Sequence, residues 1–466
     1  MTTTDISAVA ARRGALLTTV FVLQFLVALD MSLLNIALPA IRSDLGFSAA
    51  GLQWVVTAYL LTFAGFMLLG GRLGDLWGRR PVILAGLTVF GIASIVGGCA
   101  TTPWVLVTAR AAQGIAGAML APVSLALVSG IEEPAAKKKA MGIWGGAGAA
   151  GGAVGVVLSG ILTDWFSWRA VLFVNLPIVA IAVVACLAGV ASTRRRTDVT
   201  LDIWGAALVT TGVAALVYAV TSSTDNGWSA PSTIIGITVG IVLIAAFVVV
   251  ERTITHPLMP MRVLGTRSIV GANVFGFMLS AGQLAAFYFC SLYIQTIWGV
   301  EPVIAGVLFL PFCAFIVLGI IIAGKLSAAI GTRATLTLLG IVGAVGLALF
   351  ATMSSEFDFW LGIILPSIFA AIGIGGSLML IGSAGTSGVA PADAGAASGV
   401  LNSSRQLGGS IGLAVLVTIA AACTDIRTGY QAAFAAGAAL LVVGSLAAWL
   451  ILPRVSSTAT TATATG

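Results

Sequence analysis

Apolar runs of about 20 residues, each long enough to cross a membrane, recur along this chain from Ala15 to Leu452, and that recurrence limits the fold more than any single motif. At ~1.5 Å rise per residue, each run spans a hydrocarbon layer of about 30 Å as a helix. Hydrophobic residues make up 59% of the 466 and charged ones only 8%, with a mean hydropathy of +1.11, more apolar surface than a water-soluble core can bury. The expectation is an all-α integral membrane protein. We count fourteen runs: 15–39, 51–71, 82–100, 104–130, 140–162, 170–190, 203–222, 232–250, 268–298, 303–323, 334–352, 359–388, 397–421 and 429–452.

The formal charge of +6 does not point to nucleic acid, because the basic residues are spread over short loops rather than gathered on one face. If the end carrying Arg12 and Arg13 is cytoplasmic, fourteen spans place seventeen of the 22 Lys and Arg on that side. Arg42, Arg169 and Arg427 fall outside, and Arg110 and Arg405 within spans. The positive-inside rule then sets both termini in the cytoplasm of a multi-pass cell-membrane protein. Five cysteines without paired spacing read as packing residues.

Polar links around Arg194–Arg196 and Glu251–Arg267 isolate the seventh and eighth spans. The predicted organisation is a cytoplasmic segment at 1–14, a six-helix bundle at 15–190, and two inserted helices with their links at 191–267. A second six-helix bundle follows at 268–452, with a disordered tail at 453–466. The two bundles read as parallel copies. GRLGDLWGRR (Gly71–Arg80) falls on GKLSAAIGTR (Gly324–Arg333) at an offset of 253, the same offset that sets Gly46 on Gly299.

Only one carboxylate sits clearly inside a span. Asp30 lies about 12 Å below the outer boundary by helix rise, and Arg110 about 9 Å below it, so the two reach one level and pair if their helices are neighbours. Pairing favours the carboxylate and desolvation favours the acid, and a carboxyl poised between them can load and release a proton. A static structural ion pair is the competing reading. The repeat puts Gln283 opposite Asp30 and Pro366 opposite Arg110, so the proton chemistry is assigned to the first half.

Asp30, Asn35, Gln113, Gln283 and Phe287 are the candidate substrate contacts. Gly71, Asp75, Gly78, Arg79 and Arg80 form a charged turn between spans, and an acid there can hold a helix N-terminus and release it during a conformational cycle. A solvated topogenic loop is the plainer account. Gly151, Gly155 and Gly160, in a glycine-dense fifth span, allow close helix packing. In Trp168–Pro177 (WRAVLFVNLP), Trp168 and Arg169 read as interfacial, while Asn175 and Pro177 are costly in an apolar helix without partners. Arg405 reads as snorkelling to the inner interface.

No phosphate-cradling loop, metalloprotease helix or paired thiols occur, so an enzyme is not expected, and no cofactor or metal is called for. The expected partners are a small-molecule substrate, protons and membrane lipid, with no nucleic acid and a monomer as the working unit.

With these residues in hand the chain resembles the major facilitator superfamily, and within it the fourteen-span drug:proton antiporters. GRLGDLWGRR is similar to that superfamily's loop motif after the second span, and RAAQGIAGA (Arg110–Ala118) to its fourth-span motif. LDMSLLNIALPAI (Leu29–Ile41) resembles the first-span signature of the fourteen-span branch, and WRAVLFVNLP is the most branch-specific match. The resemblance implies two six-helix bundles plus two central helices, alternating access, and export of amphipathic compounds against entering protons. It makes Asp30 the proton and cation site, Arg110 its modulator, and Asp75 with Arg79 part of a cytoplasmic latch. One departure is the fifth span, where Val156 follows Gly155 and the family's proline kink is missing. Import of a small metabolite by symport or facilitated diffusion is the alternative function.

Overall fold

The computed structural model describes residues 3–191, 203–254, 265–386 and 394–453, and all regular structure among them is helical. The long helices, numbered in chain order, are α1 (Thr3–Leu45), α2 (Trp54–Trp77), α3 (Arg79–Gly98), α4 (Pro103–Ser129), α5 (Pro134–Trp165), α6 (Asn175–Gly189), α7 (Ile203–Asn226) and α8 (Pro231–Thr253). They continue as α9 (Arg267–Leu292), α10 (Leu310–Ile330), α11 (Thr332–Phe350), α12 (Leu365–Thr386), α13 (Ala394–Ala421) and α14 (Ile426–Ile451). Among the described residues, 12 helices are long and apolar enough to cross a membrane, and Trp54–Met67 and Ala207–Val220 are shorter apolar stretches. A helix satisfies its own backbone groups, which is why an apolar chain of this kind resolves into helices.

Two compact units are present. One holds Met1–Ser222, Asn226–Leu258 and Ile294–Leu310; the other holds Ser223–Asp225, Met259–Tyr293 and Pro311–Gly466. In the first, α1 packs on α5 and α6, and α2 and α3 pack on α4. The α1–α5 contact depends on missing side chains: a methyl group on Gly151 would meet the Phe25 carbonyl, and one on Gly155 would meet Ser32 Oγ and the Leu29 carbonyl. Ser32 Oγ donates to the Leu29 carbonyl at 3.0 Å. On the opposite side of α5, Gly160 brings the backbone against Pro302 and Val303 of the short helix Pro302–Leu308. In the second unit, α9 packs on α12, α13 and α14, and α11 on α12 and α14.

The stretch Gly71–Arg80 is not the open turn that its charges suggest. Residues up to Trp77 continue α2, and α3 begins at Arg79, leaving Gly78 alone as the connector at φ +89°. Charged residues lengthen a helix beyond the apolar layer without breaking it; the break comes from the one residue that takes a left-handed φ without strain. The lead segment is helical as well, since α1 starts at Thr3. The Arg194–Arg196 link, His256 and the tail from residue 454 lie outside the described residues.

Candidate functional site

Asp30 sits at 1% exposure in the middle of α1, and Arg110 at 2% on α4. Arg110 Nη1 donates to Asp30 Oδ2 at 2.6 Å, a buried ion pair between two helices whose matching depths the residue count anticipates. Its neighbours satisfy most of what remains. Arg110 Nη1 also reaches Gln113 Oε1 at 2.7 Å, one helical turn away on the same face of α4, and Arg110 Nε donates to the Val55 carbonyl of α2 at 3.1 Å. The guanidinium carbon lies 4.5 Å from the centre of the Tyr59 ring, also on α2. Five helices, α1, α2, α3, α4 and α6, supply side chains or carbonyls to this one network.

The second carboxylate oxygen is held by amides. Asn175 Nδ2 donates to Asp30 Oδ1 at 2.9 Å, and Gln113 Nε2 approaches the same oxygen at 3.4 Å while donating to Ser94 Oγ of α3 at 2.9 Å. Asn175, Gln113 and Ser94 are fully buried. Two polar atoms of the cluster, Tyr59 Oη and Asn175 Oδ1, have no hydrogen-bond partner among the described residues. Such groups carry a desolvation cost that a water or a ligand relieves. Chemically, the site is one acid held between a fixed cation and neutral amides, and it can take a proton or meet a second cation in exchange for Arg110.

Asn175 explains the WRAVLFVNLP stretch. Val174, itself helical at φ −62° and ψ −21°, carries the chain from the short helix Ala170–Phe173 into α6, and Asn175 at the start of α6 reaches Asp30 of α1. Trp168, read as interfacial, is instead buried at 3% exposure, where its Nε1 donates to Asp44 Oδ2 at 2.9 Å. Arg169 joins the same carboxylate at 2.6 Å and donates to the Ala100 carbonyl at 3.0 Å, tying the ends of α1 and α3 together. The stretch thus holds α1 at Asp44 and again at Asp30.

The other candidates are placed as follows. Asn35 is buried on α1, and its amide approaches the Met31 carbonyl of its own helix at 3.4 Å. Gln283 is half-buried on α9, without a hydrogen-bond partner among the described residues. Phe287, on the same helix, packs edge-on against Phe312 with centroids 5.0 Å apart. Both belong to the second unit and are not in the Asp30 cluster. Gly71 lies against Pro122 of α4, and the Arg79 guanidinium covers Gly130 where α4 ends. Arg80 is half-buried, and the side chain of Asp75 lies outside the described residues. Arg405 stands well inside α13 with its aliphatic stem over Gly276 of α9. Among the described residues no three His, Cys, Asp or Glu gather as a metal site would require.

Sequence reasoning does not assign a site role to Tyr59, Ser94 or Asn175. The cost of an amide in an apolar helix singles out Asn175, but nothing in the sequence names its partner. Tyr59 and Ser94 sit in apolar runs where each looks like core.

Residues 20–413 match the Major Facilitator Superfamily. The chain is 35% identical to the puromycin resistance protein pur8 of Streptomyces alboniger over 461 residues, covering 95% of this chain and 92% of that protein. It is 37% identical to the cephamycin export protein CmcT of Amycolatopsis lactamdurans over 406 residues, covering 86% and 84%. Among solved structures, a bacterial homologue of the human lysosomal transporter Spinster, in an inward-facing and unoccupied conformation, superposes with a TM-score of 0.69 at 16% identity, covering 94% of this chain and 97% of that one.

Proposed function

Because the chain belongs to the Major Facilitator Superfamily, a family of transporters, we propose that this multi-pass membrane protein exports small amphipathic compounds, cationic or neutral, in exchange for protons by alternating access. The relatives support the direction and the cargo, since their names record resistance to puromycin and export of cephamycin. We further propose fourteen spans, by adding Trp54–Met67 and Ala207–Val220 to the 12 long ones, with both termini cytoplasmic.

The observation that carries the coupling is the buried Asp30–Arg110 pair with its amide supports. Protonating Asp30 removes the charge that balances Arg110, and the guanidinium then depends on the Val55 carbonyl, Gln113 and the Tyr59 ring. A cation from the substrate competes with Arg110 for the carboxylate in the same way. Proton and cationic substrate therefore take turns at one acid, which is the condition for exchange. Asp75 with Arg79, at the single-residue connector, is proposed to latch the cytoplasmic side during the cycle.

The test is proton release from energised everted vesicles on substrate addition, with ethidium and puromycin as probes. Asp30→Asn should abolish release and uphill export while the protein still reaches the membrane. Undiminished uphill export by that variant would remove Asp30 from the coupling. Protons leaving the vesicle lumen together with lumenal substrate, in the same direction, would favour the importer reading instead.

A further inference from the structure

The second unit contains a cavity of about 260 Å³ that plays no part in the network around Asp30. Ser268, Thr332, Arg333, Ser383, Leu452 and Pro453 line it. Ser268 and Arg333 are each the second residue of a helix, α9 and α11, so two first turns border one space. First-turn N–H groups have no intrahelical acceptor and carry partial positive charge. Gly331, at φ +81°, sets where α11 starts and thus where Arg333 stands.

Arg333 gives the cavity its chemistry. Its guanidinium stacks on Trp449 of α14 at 4.5 Å, which fixes the plane of the fork, and its Nε is buried with no hydrogen-bond partner among the described residues. No acidic side chain is among the described residues that line the space, and Arg267, exposed and adjacent in sequence to the lining residue Ser268, is a second cation on the same first turn. An oriented guanidinium with unused donors is a phosphate or carboxylate receptor.

The surroundings say which kind of anion. Trp449, Leu446 and Leu450 on α14 are 43%, 53% and 76% exposed, and Ile330 beside the connector is 48% exposed. In a membrane protein such side chains face hydrocarbon, so the cavity adjoins a surface suited to acyl chains. A zwitterionic headgroup would bring its ammonium into a space where no carboxylate is among the described lining residues.

We propose that this cavity binds the phosphate of an anionic phospholipid, held by Arg333 and the first turns of α9 and α11, with the acyl chains along Leu446 and Leu450. The sequence GKLSAAIGTR then keeps its terminal arginine for a lipid contact, although Ala328 stands where the first copy has Asp75. Basic pockets between transmembrane helices hold phosphate headgroups by the same physics.

The test needs no transport, so it stands apart from the exporter reading. The purified full-length protein is given equimolar dioleoylphosphatidylglycerol and dioleoylphosphatidylcholine, and retained lipid is read by native mass spectrometry. Wild type should prefer the glycerol lipid, and Arg333→Gln should lower that preference by roughly a factor of five, the loss expected for one surface cation. Ser383→Phe fills the cavity from an exposed position without touching a charge and should lower it as well. Equal preference in all three proteins would overturn the proposal, as would full preference in Ser383→Phe. Displacement of the glycerol lipid by inorganic phosphate would overturn the lipid as occupant. Should Arg333→Gln fail to fold, Arg333→Lys takes its place; it keeps the charge but loses the planar fork, and an unchanged preference there counts against the geometry.

Discussion

The two halves of this chain share their backbone punctuation and differ in their chemistry. Gly46 and Gly299 take φ of +69° and +65°, Gly78 and Gly331 take +89° and +81°, and each pair stands 253 residues apart. Each of the latter two is the single residue between two long helices. At the same offset the buried acid Asp30 meets Gln283, and Asp75 meets Ala328. Geometry is needed twice, because each half must turn its chain at the same places. The Asp30–Arg110 pair has no copy at Gln283 and Pro366, and a second such pair would add the desolvation of two more ions.

The largest expected difference between the halves is in stability. Removing one partner of a buried pair leaves an uncompensated charge, and Arg110→Ala should cost about 3–5 kcal/mol, read as a large fall in the thermal midpoint in detergent. Gln283→Ala, at a half-buried site without a hydrogen-bond partner among the described residues, should stay within about 0.5 kcal/mol. If the two variants melt alike, the charge asymmetry has no energetic content.

Transport should separate the halves in kind. Gln283→Asp placed in the Asp30→Asn background restores the acid count in the other copy, where Pro366 occupies the position corresponding to Arg110. Substrate-driven proton release should stay absent. Its return would show that any acid at that depth suffices, and the network around Asp30 would lose its claim to the coupling.

Much of this asymmetry is legible in the sequence, for physical reasons. Helix rise converts position into depth, so counting residues is enough to put Asp30 and Arg110 on one level, and a 253-residue offset exposes the repeat. Partners across helices are not legible in that way. Asn175 visibly needs one, but its reach to Asp30 depends on α6 packing against α1, and Tyr59 joins the site only because α2 lies beside Arg110. The continuation of α2 to Trp77 is hidden when charge is taken as a sign of loop; the informative residue there is the glycine at position 78.

A smaller effect should be the same in both halves. With ψ of 153° and 157°, Gly78 and Gly331 sit in an extended positive-φ region that is nearly glycine-only, where a side chain costs about 1–3 kcal/mol, so Gly78→Ala and Gly331→Ala should lower the thermal midpoint by similar amounts. Export rate should fall more in the first, where Arg79 covers Gly130, than in the second. A stability cost confined to one of them would show that the copies no longer share a backbone constraint.

The smallest expected effect concerns two acids at helix starts, one in each unit. Glu133 precedes α5 without capping it and pairs with Arg13 at 2.6 Å on an exposed surface, so salt should weaken its contribution. Asp425 caps α14, accepting from the Thr428 amide at 3.0 Å and from its hydroxyl at 2.9 Å. Those hydrogen bonds hold the Asp425 carboxyl below its ordinary value of 3.8. The folded form binds this proton less readily than the unfolded chain, so the cap's contribution is complete above that value and is lost as pH falls through the lower folded one. Asp425→Asn keeps a capping oxygen but has nothing to titrate. Its thermal midpoint should match wild type at neutral pH and decline less steeply under acid below pH 3.8, in buffers of fixed ionic strength. Parallel acid curves for the two proteins would show that Asp425 caps α14 without linking its start to pH.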